Sequence, residues 1–414
     1  MNLDSRRAGR LAALILGAGL LLRFAYAWRG AHALPTSNDQ YETIALSVVE
    51  HGEYAVIPGV PTSGREPVYP LFIAGLYKVF GERPSVVIFV QCVLSMLTGY
   101  FLWLTGRRLF DERLALAALA VYMLYPQSVY YCAYFFRETL LCFGFGVLLW
   151  SSLDWGAAPG DPGGDRSALI GGLSASVFGI GNSAVLPACA LSGLLIWAVA
   201  PAKSRARRFF LYTAPLVLFF AAWTGRNWAV QGRFIAGSTH GGEEFYRALV
   251  VPPEYQTTNR VAEFAKTVPI FAEAELLPEA DRNTLMTKAA FAWIGAHRAK
   301  FAARIFEGVV KFWRLWPYKM ATYQHSYALL VLASLLSDGW IIPLGLLGLW
   351  LFRDRWREIP VLPASVFGLT VVYGTVHAVI RYRLPLMQGL ILLACAAISR
   401  LFAPGLGRIF KVRN

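Results

Sequence analysis

The feature that most constrains this chain is the recurrence of long apolar runs. LAALILGAGLLLRFAYAW at 11–28, VVIFVQCVLSMLTGYFLWL at 86–104 and LPLMQGLILLACAAISRLF at 384–402 are three of them. Each has the roughly 17 to 25 residues that cross hydrocarbon as a helix. A segment inside a bilayer must satisfy its backbone polar groups internally, which leaves helices or a closed barrel. The alternating pattern of a barrel strand is absent, so an all-α integral membrane protein is expected. No soluble class fits a 414-residue chain that is 56% hydrophobic and 14% aromatic, with a mean hydropathy of +0.47.

A net charge of +14 would suit a nucleic-acid binder, but the placement of the charge argues against one. Basic residues gather in the short gaps SRRAGR, GRRLFDER, AKSRARR, FRDRWRE and GRIFKVRN, between or beside apolar runs. That is the positive-inside pattern, and it assigns these gaps to the cytoplasmic side. The five cysteines, Cys92, Cys132, Cys142, Cys189 and Cys395, lie in or beside apolar runs. They form no C-x-x-C pair, so neither a metal centre nor a disulfide framework is expected. The first apolar run lacks a small-residue cleavage site after it and reads as a retained helix rather than a signal peptide.

With the basic gaps as markers, about ten spans are expected. They cover 11–28, 86–105, 114–130, 136–153, 168–183, 185–201, 208–224, 328–352, 360–379 and 384–402. Both termini then lie inside. Residues 167–201 must hold two helices joined by the tight turn GIGNS, or a re-entrant pair. The connector DWGAAPGDPGGDRS at 154–167 is rich in Gly, Pro and Asp and reads as flexible. Two stretches are too polar to span, 29–85 and 225–327, and both fall on the outer face. The chain is a single polytopic domain, 1–414, with its chemistry expected at that outer surface.

In the first outer loop, TSNDQYETIALSVVEHGEY, apolar Tyr41, Ile44, Ala45, Val48 and Val49 form one helical stripe. Gly52 ends it. A second helix is expected from Pro67 to Gly81, with proline early and glycine late as helix termini prefer. Both are expected to lie on the membrane surface. Asp39 admits two readings. Asp39-Gln40-Tyr41-Glu42 fits a capping box, and a carboxylate at the mouth of a membrane site could also serve as a base. Glu138, in YYCAYFFRETLLCFGFGVLLW, opens the fourth span. An acid at membrane depth is costly and points to function, although Arg137 beside it offers a simple interfacial pair.

TVHAVIRYRLPL at 375–386 places His377, Arg381 and Arg383 at the outer end of the penultimate span, where the positive-inside rule does not explain them. Guanidinium groups suit phosphate, and headgroup snorkelling is the bland alternative. Arg226 in WTGRNWAVQGRF sits similarly, and the following GSTHGG could form an anion nest of backbone amides. Lys78, Lys300 and Lys311 read as solvated or headgroup-facing charges.

Several of these elements, in this order, resemble the bacterial GT-C superfamily of membrane glycosyltransferases, which includes protein O-mannosyltransferases and lipid A aminoarabinose transferases. They are NDQYETIA…EHGEY, REPVYPLFIAGLYKVFG, RRLF, FRETLL, RNWAVQGRFIAGSTHGG and RYRLPL. The first loop reads Asp39-Gln40 where the mannosyltransferases have an acid pair. It reads Arg65-Glu66-Pro67 where the aminoarabinose enzymes have Glu-Lys-Pro.

The resemblance implies a GT-C-like bundle with two large outer loops that carry interfacial helices. It implies an inverting transferase, multi-pass in the bacterial inner membrane with its site facing outward, that takes a sugar from a polyprenyl-phosphate donor. The acceptor would be a lipid-linked glycan, lipopolysaccharide or protein. On that reading Asp39 and Glu138 are catalytic, and Arg381, Arg383, Arg226 and Arg65 hold the donor phosphate. Tyr41, Glu66, His377, His240 and Tyr382 contact substrate. No cofactor is obligatory, and the need for a divalent metal is left open. The competing readings are a transporter or flippase of a lipid-linked anion, and a non-catalytic scaffold.

Overall fold

The computed structural model describes residues 4–30, 39–252, 255, 261–319 and 326–402. The start of the first outer loop (Thr36 to Asn38) and the basic tail GRIFKVRN lie outside the described residues. All ten expected spans are helical, in the order α1 (Ser5–Gly30), α4 (Pro84–Leu109), α5 (Glu112–Leu124), α7 (Glu138–Ser151), α8 (Pro162–Gly181), α9 (Leu186–Val199), α10 (Arg205–Gln231), α16 (Tyr327–Leu351), α17 (Val361–Thr375) and α18 (Leu384–Phe402). Five of the described helices are long and apolar enough to cross a membrane by length and composition: α1, α4, α10, α16 and α18 with the turn before it. The shorter helices pack among them.

The outer loops are also helical. The first holds α2 (Tyr41–His51), a small antiparallel hairpin of β1 (Ala55–Ile57) and β2 (Val60–Pro61), and α3 (Val68–Phe80). A six-residue α6 (Pro126–Tyr131) follows α5, because Pro126 ends the longer span expected there. The second loop holds α11 (Gly241–Val250), α12 (Val261–Ala265), α13 (Pro269–Glu275), α14 (Glu279–Ala296) and α15 (Arg298–Phe312). The expected break at GIGNS is present. Asn182 leaves the helical region, its side chain accepts from the Ala184 amide at 3.3 Å, and a single 3-10 turn leads into α9.

At the centre stands α18, whose Leu386, Met387, Leu390, Ile391 and Leu392 are fully buried. In lipid, where neighbouring tails are as apolar as leucine, helices associate through close packing rather than through exclusion of water. Small residues therefore line the central contact. A Cβ on Gly345 of α16 would come within 2.8 Å of the Leu390 carbonyl, and one on Gly348 would collide with the Leu393 carbonyl. Leu14, Leu21, Leu218, Leu336 and Phe367 remain exposed, as expected of side chains that meet lipid.

Buried arginines hold the bundle at defined points. Arg23 of α1 is fully buried and donates to Ser95 Oγ at 2.8 Å, Met123 O at 2.9 Å and Ser128 Oγ at 2.8 Å, joining α1 to α4, α5 and α6. Arg208 corrects the reading of 154–167 as flexible. It is fully buried, donates to the carbonyls of Trp155, Ala157 and Ala158 at 3.0, 2.7 and 3.0 Å, and faces Asp165 at 3.2 Å. Polar carbonyls left free by glycine and proline are thus collected by one guanidinium.

Gly348→Val should force α16 away from α18 and cost about 1–3 kcal/mol, as overpacking does in a close-packed core. Thermal unfolding of the purified variant in detergent would measure the loss.

Candidate functional site

The first loop turns into α2 through Gln40, which adopts φ 61° and ψ 13° and occupies the N-cap position without a side-chain cap bond. The capping reading of Asp39 is therefore corrected. A left-handed residue after Asp39 swings the aspartate away from the helix start. Glu42 does not reach back either, and instead accepts a 2.5 Å hydrogen bond from the Tyr77 hydroxyl of α3. Gly52, at φ 73°, ends α2 as expected.

Freed from the helix, Asp39 faces two guanidinium groups. Arg65 Nη2 lies 3.8 Å from Oδ1 and Arg381 Nη1 lies 3.8 Å from Oδ2. Arg65 is positioned by its own Nε, which donates to the Asp39 carbonyl at 2.8 Å. Both side-chain distances exceed hydrogen-bonding range, so the carboxylate is compensated in charge while its lone pairs stay available. Arg381 also reaches Glu138, with Nε 3.4 Å from Oε1. Glu138 is 2% exposed, and its Oε2 has no hydrogen-bond partner among the described residues. One guanidinium thus bridges the two acids that the sequence proposed separately, and it stands over Phe136 at 5.2 Å and Tyr382 at 5.3 Å.

A second ionic pair frames the first. Glu66 is buried, and its Oε2 accepts from Arg137 Nη1 at 2.9 Å, while Oε1 accepts from Ser183 Oγ at 2.8 Å. Burial alone would raise the Glu66 carboxyl, but Arg137 and the Ser183 hydroxyl and amide outweigh it and hold the group below the usual carboxylate range. Arg137 also donates to the Gly181 carbonyl at 3.3 Å. These bonds join the first loop, the start of α7 and the α8–α9 turn. Tyr41 is buried edge-on against Tyr69 at 5.0 Å. Tyr382 stacks on Tyr373 at 4.7 Å, whose hydroxyl accepts from Asn182 at 2.6 Å. His377 lines a cavity of about 30 Å³ together with Lys311, Arg304 and Tyr373.

The remaining arginines fill other roles. Arg383 is fully buried, donates to the carbonyls of Phe312 and Arg314 at 2.7 and 2.5 Å, and lies 2.5 Å from Asp338. Asp338 also accepts from Tyr125 at 2.6 Å and Gln127 at 2.7 Å. Its Nε has no partner among the described residues, but the side chain is fully buried with both terminal nitrogens engaged, so Arg383 presents no exposed donor to a substrate phosphate. Arg226 donates to the Thr62 and Tyr54 carbonyls at 2.6 and 3.2 Å, which makes it a clamp on the hairpin loop. His240 sits 3.2 Å from Glu244. The GSTHGG nest is also corrected, because the Thr239 amide donates to the Ser63 carbonyl and the Gly242 amide to Asn283 Oδ1.

Glu279 was missed by sequence reasoning. It accepts from Thr62 Oγ1 and the Ser63 amide at 2.9 Å each, and from the Thr239 hydroxyl, tying the second loop to the first. Its position outside any span concealed it. Asp338 had a readable signal, since it is an acid inside an apolar run. Among the described residues, no three His, Cys, Asp or Glu side chains come together as a metal site.

Residues 61–158 match the family model described as dolichyl-phosphate-mannose-protein mannosyltransferase. That stretch contains Glu66, Arg137 and Glu138. Among solved structures, the chain is similar to the oligosaccharyltransferase AglB of the archaeon Archaeoglobus fulgidus in complex with an inhibitory peptide and a dolichol-phosphate, with TM-score 0.50, 12% identity, and 97% of this chain and 52% of that chain covered. The same enzyme in complex with Zn and sulfate gives TM-score 0.52 at 11% identity, covering 96% and 50%. ArnT of Cupriavidus metallidurans bound to undecaprenyl phosphate gives TM-score 0.44 at 14% identity, covering 96% and 80%. The chain spans about half the length of the oligosaccharyltransferase. No curated protein sequence matches it. The all-α membrane fold is thus similar to that of the oligosaccharyltransferase.

Two outcomes test this frame. Asp338→Ala should destabilise the protein by about 3–5 kcal/mol by leaving Arg383 buried without its partner, and Asp338→Asn should cost less; unfolding in detergent measures both. The Glu66 carboxyl is held below its unfolded value near 4.5, so its contribution is present above that pH and lost as the pH falls through the folded value. Thermal stability should drop on acidification below about 4.5, and Glu66→Gln should be less stable at neutral pH and show a shallower drop.

Proposed function

We propose that this chain is an inverting glycosyltransferase that moves a sugar from a polyprenyl-phosphate donor to an acceptor at the outer face of the cytoplasmic membrane. The observation that carries the reading is the position of Arg381 between Asp39 and Glu138, where the first loop, the start of α7 and the turn before α18 meet. The match to a mannosyltransferase family model supports it, as does a fold shared with an oligosaccharyltransferase solved with dolichol-phosphate.

The reaction follows from the charges. An acceptor hydroxyl attacks the anomeric carbon, and Asp39 takes the hydroxyl proton as the new C–O bond forms. The bond from the anomeric carbon to the phosphate oxygen breaks, and its electron pair stays on the phosphate. A phosphodiester with one negative charge becomes a monoester with two. Arg381 is placed to meet that growing charge, which is where fixed positive groups accelerate such a step most. A single displacement inverts the anomeric carbon. Glu138 holds Arg381 from the buried side, and Lys311 and Arg304 of α15 line the adjoining cavity beside His377. Arg65 sets a second positive charge beside Asp39. A lipid-linked glycan, lipopolysaccharide and a protein all present a suitable acceptor hydroxyl.

Asp39→Asn tests the assignment. The variant should insert and fold as the parent does and lose about 10²–10⁴-fold in transfer from a polyprenyl-phosphate sugar, the usual worth of a general base. Membranes from a strain lacking the gene, supplied with labelled donor, provide the assay. Full activity in the variant would remove Asp39 from the mechanism.

A further inference from the structure

An apolar cavity lies at the other end of the bundle. It measures about 230 Å³ and is walled by Leu109 and Phe110 at the end of α4, Leu349 and Phe352 at the end of α16, Ile359 and Leu393. The site end of α4 is marked by Gln91, which holds the Cys132 and Tyr134 carbonyls just before Glu138. Leu109 at the cavity lies five helical turns beyond Gln91, a rise of about 27 Å. The cavity therefore takes no part in sugar transfer. Its aliphatic and aromatic walls give a water few partners, so it suits hydrocarbon.

Arginines ring the mouth of this cavity, and they divide into two kinds. Arg355 donates to the Leu109 carbonyl at 2.7 Å and pairs with Glu358 at 2.6 Å, and Arg400 donates to the Leu351 carbonyl at 2.9 Å. These two close the C-terminal ends of α4 and α16. Arg353 and Arg357 are exposed and lie over the rings of Trp350 and Trp356 at 5.1 and 5.6 Å. The nearest carboxylate of Arg353 is that of Asp354, at 4.0 Å. The neighbouring Arg107 and Arg108 are taken by Glu112 and Asp154. Indole rings beside cations at the end of apolar helices are what a headgroup layer selects. Arg353 thus lines the apolar cavity and Arg357 stands over Trp356, which also lines it, with only the distant Asp354, among the described residues, set against Arg353.

We propose that this cavity is a binding site for an anionic membrane phospholipid. One acyl chain enters between the ends of α4, α16 and α18, and the headgroup phosphate lies on Arg353 and Arg357. An anionic lipid is favoured over a zwitterionic one because it brings no ammonium to face the arginines. The seated chain fills the space between the α4 and α16 ends, where the Phe110 and Phe352 rings meet at 5.3 Å.

Native mass spectrometry of the full chain, delipidated and given equal amounts of phosphatidylglycerol and phosphatidylethanolamine, tests the site. The protein should retain one phosphatidylglycerol at ~tenfold or greater preference. The double variant R353Q/R357Q, altered only at exposed side chains, should lose that preference. Leu349→Trp, which fills the cavity and leaves the arginines in place, should lose retention of the lipid. Equal retention of the two lipids by the parent would overturn the proposal. So would a preference that survives R353Q/R357Q, or retention that Leu349→Trp leaves unchanged.

Discussion

One guanidinium, that of Arg381, stands between two carboxylates at the edge of an apolar layer and sets its charge against both. An uncompensated buried carboxylate costs several kcal/mol and would take up a proton instead. The rest of the molecule serves to keep this arrangement in register. The first loop must bring Asp39 in, α7 must start at Glu138, and the chain must turn at 380–383 so that Arg381 faces both. The contact distances separate function from support. Arg383, two residues on, is locked to Asp338 at 2.5 Å and to two carbonyls, whereas Arg381 stays 3.4 to 3.8 Å from each acid. In that short turn, positions two apart point to different sides, so one arginine anchors the segment and the other remains able to meet a substrate.

The support is itself ionic. Glu66, Arg137 and Ser183 pin the first loop to the start of α7 and to the α8–α9 turn. Arg226 and Glu279 hold the hairpin loop from the second loop's side. Each of these charges is buried or half-buried and satisfied, so together they set the shape of the opening, while the apolar packing around α18 sets the thickness of the bundle.

Much of the fold was readable, because each span had to be apolar over a membrane's thickness and each gap carried arginines. The breaks at Gly52, Gly81 and Asn182 followed from local backbone chemistry. The site was readable as residue types but not as partners. Asp39, Glu138 and Arg381 lie hundreds of residues apart at the extremes, and nothing local says that one arginine serves both acids. Capping misled at Asp39 because Gln40 is left-handed, a property of the tertiary path rather than of the sequence window. Arg383 and Arg226 matched the chemistry of phosphate binders equally well. Only burial and the carbonyl contacts of their terminal nitrogens show that both are bound up inside the protein. Lys311 read as a headgroup charge, yet it lines the cavity beside His377.

The central claim is that Arg381 is shared, held by Asp39 and Glu138 in the free protein and drawn to the donor's phosphate when it arrives. Equilibrium binding of polyprenyl phosphate to the purified protein, with no acceptor present, addresses it most directly. Arg381→Gln should weaken that binding by at least ~tenfold, as loss of a charged contact to phosphate does. Asp39→Asn, which removes a competing carboxylate, should leave the binding equal or tighter. Undiminished binding by Arg381→Gln, or a loss on Asp39→Asn as large as that on Arg381→Gln, would contradict the account.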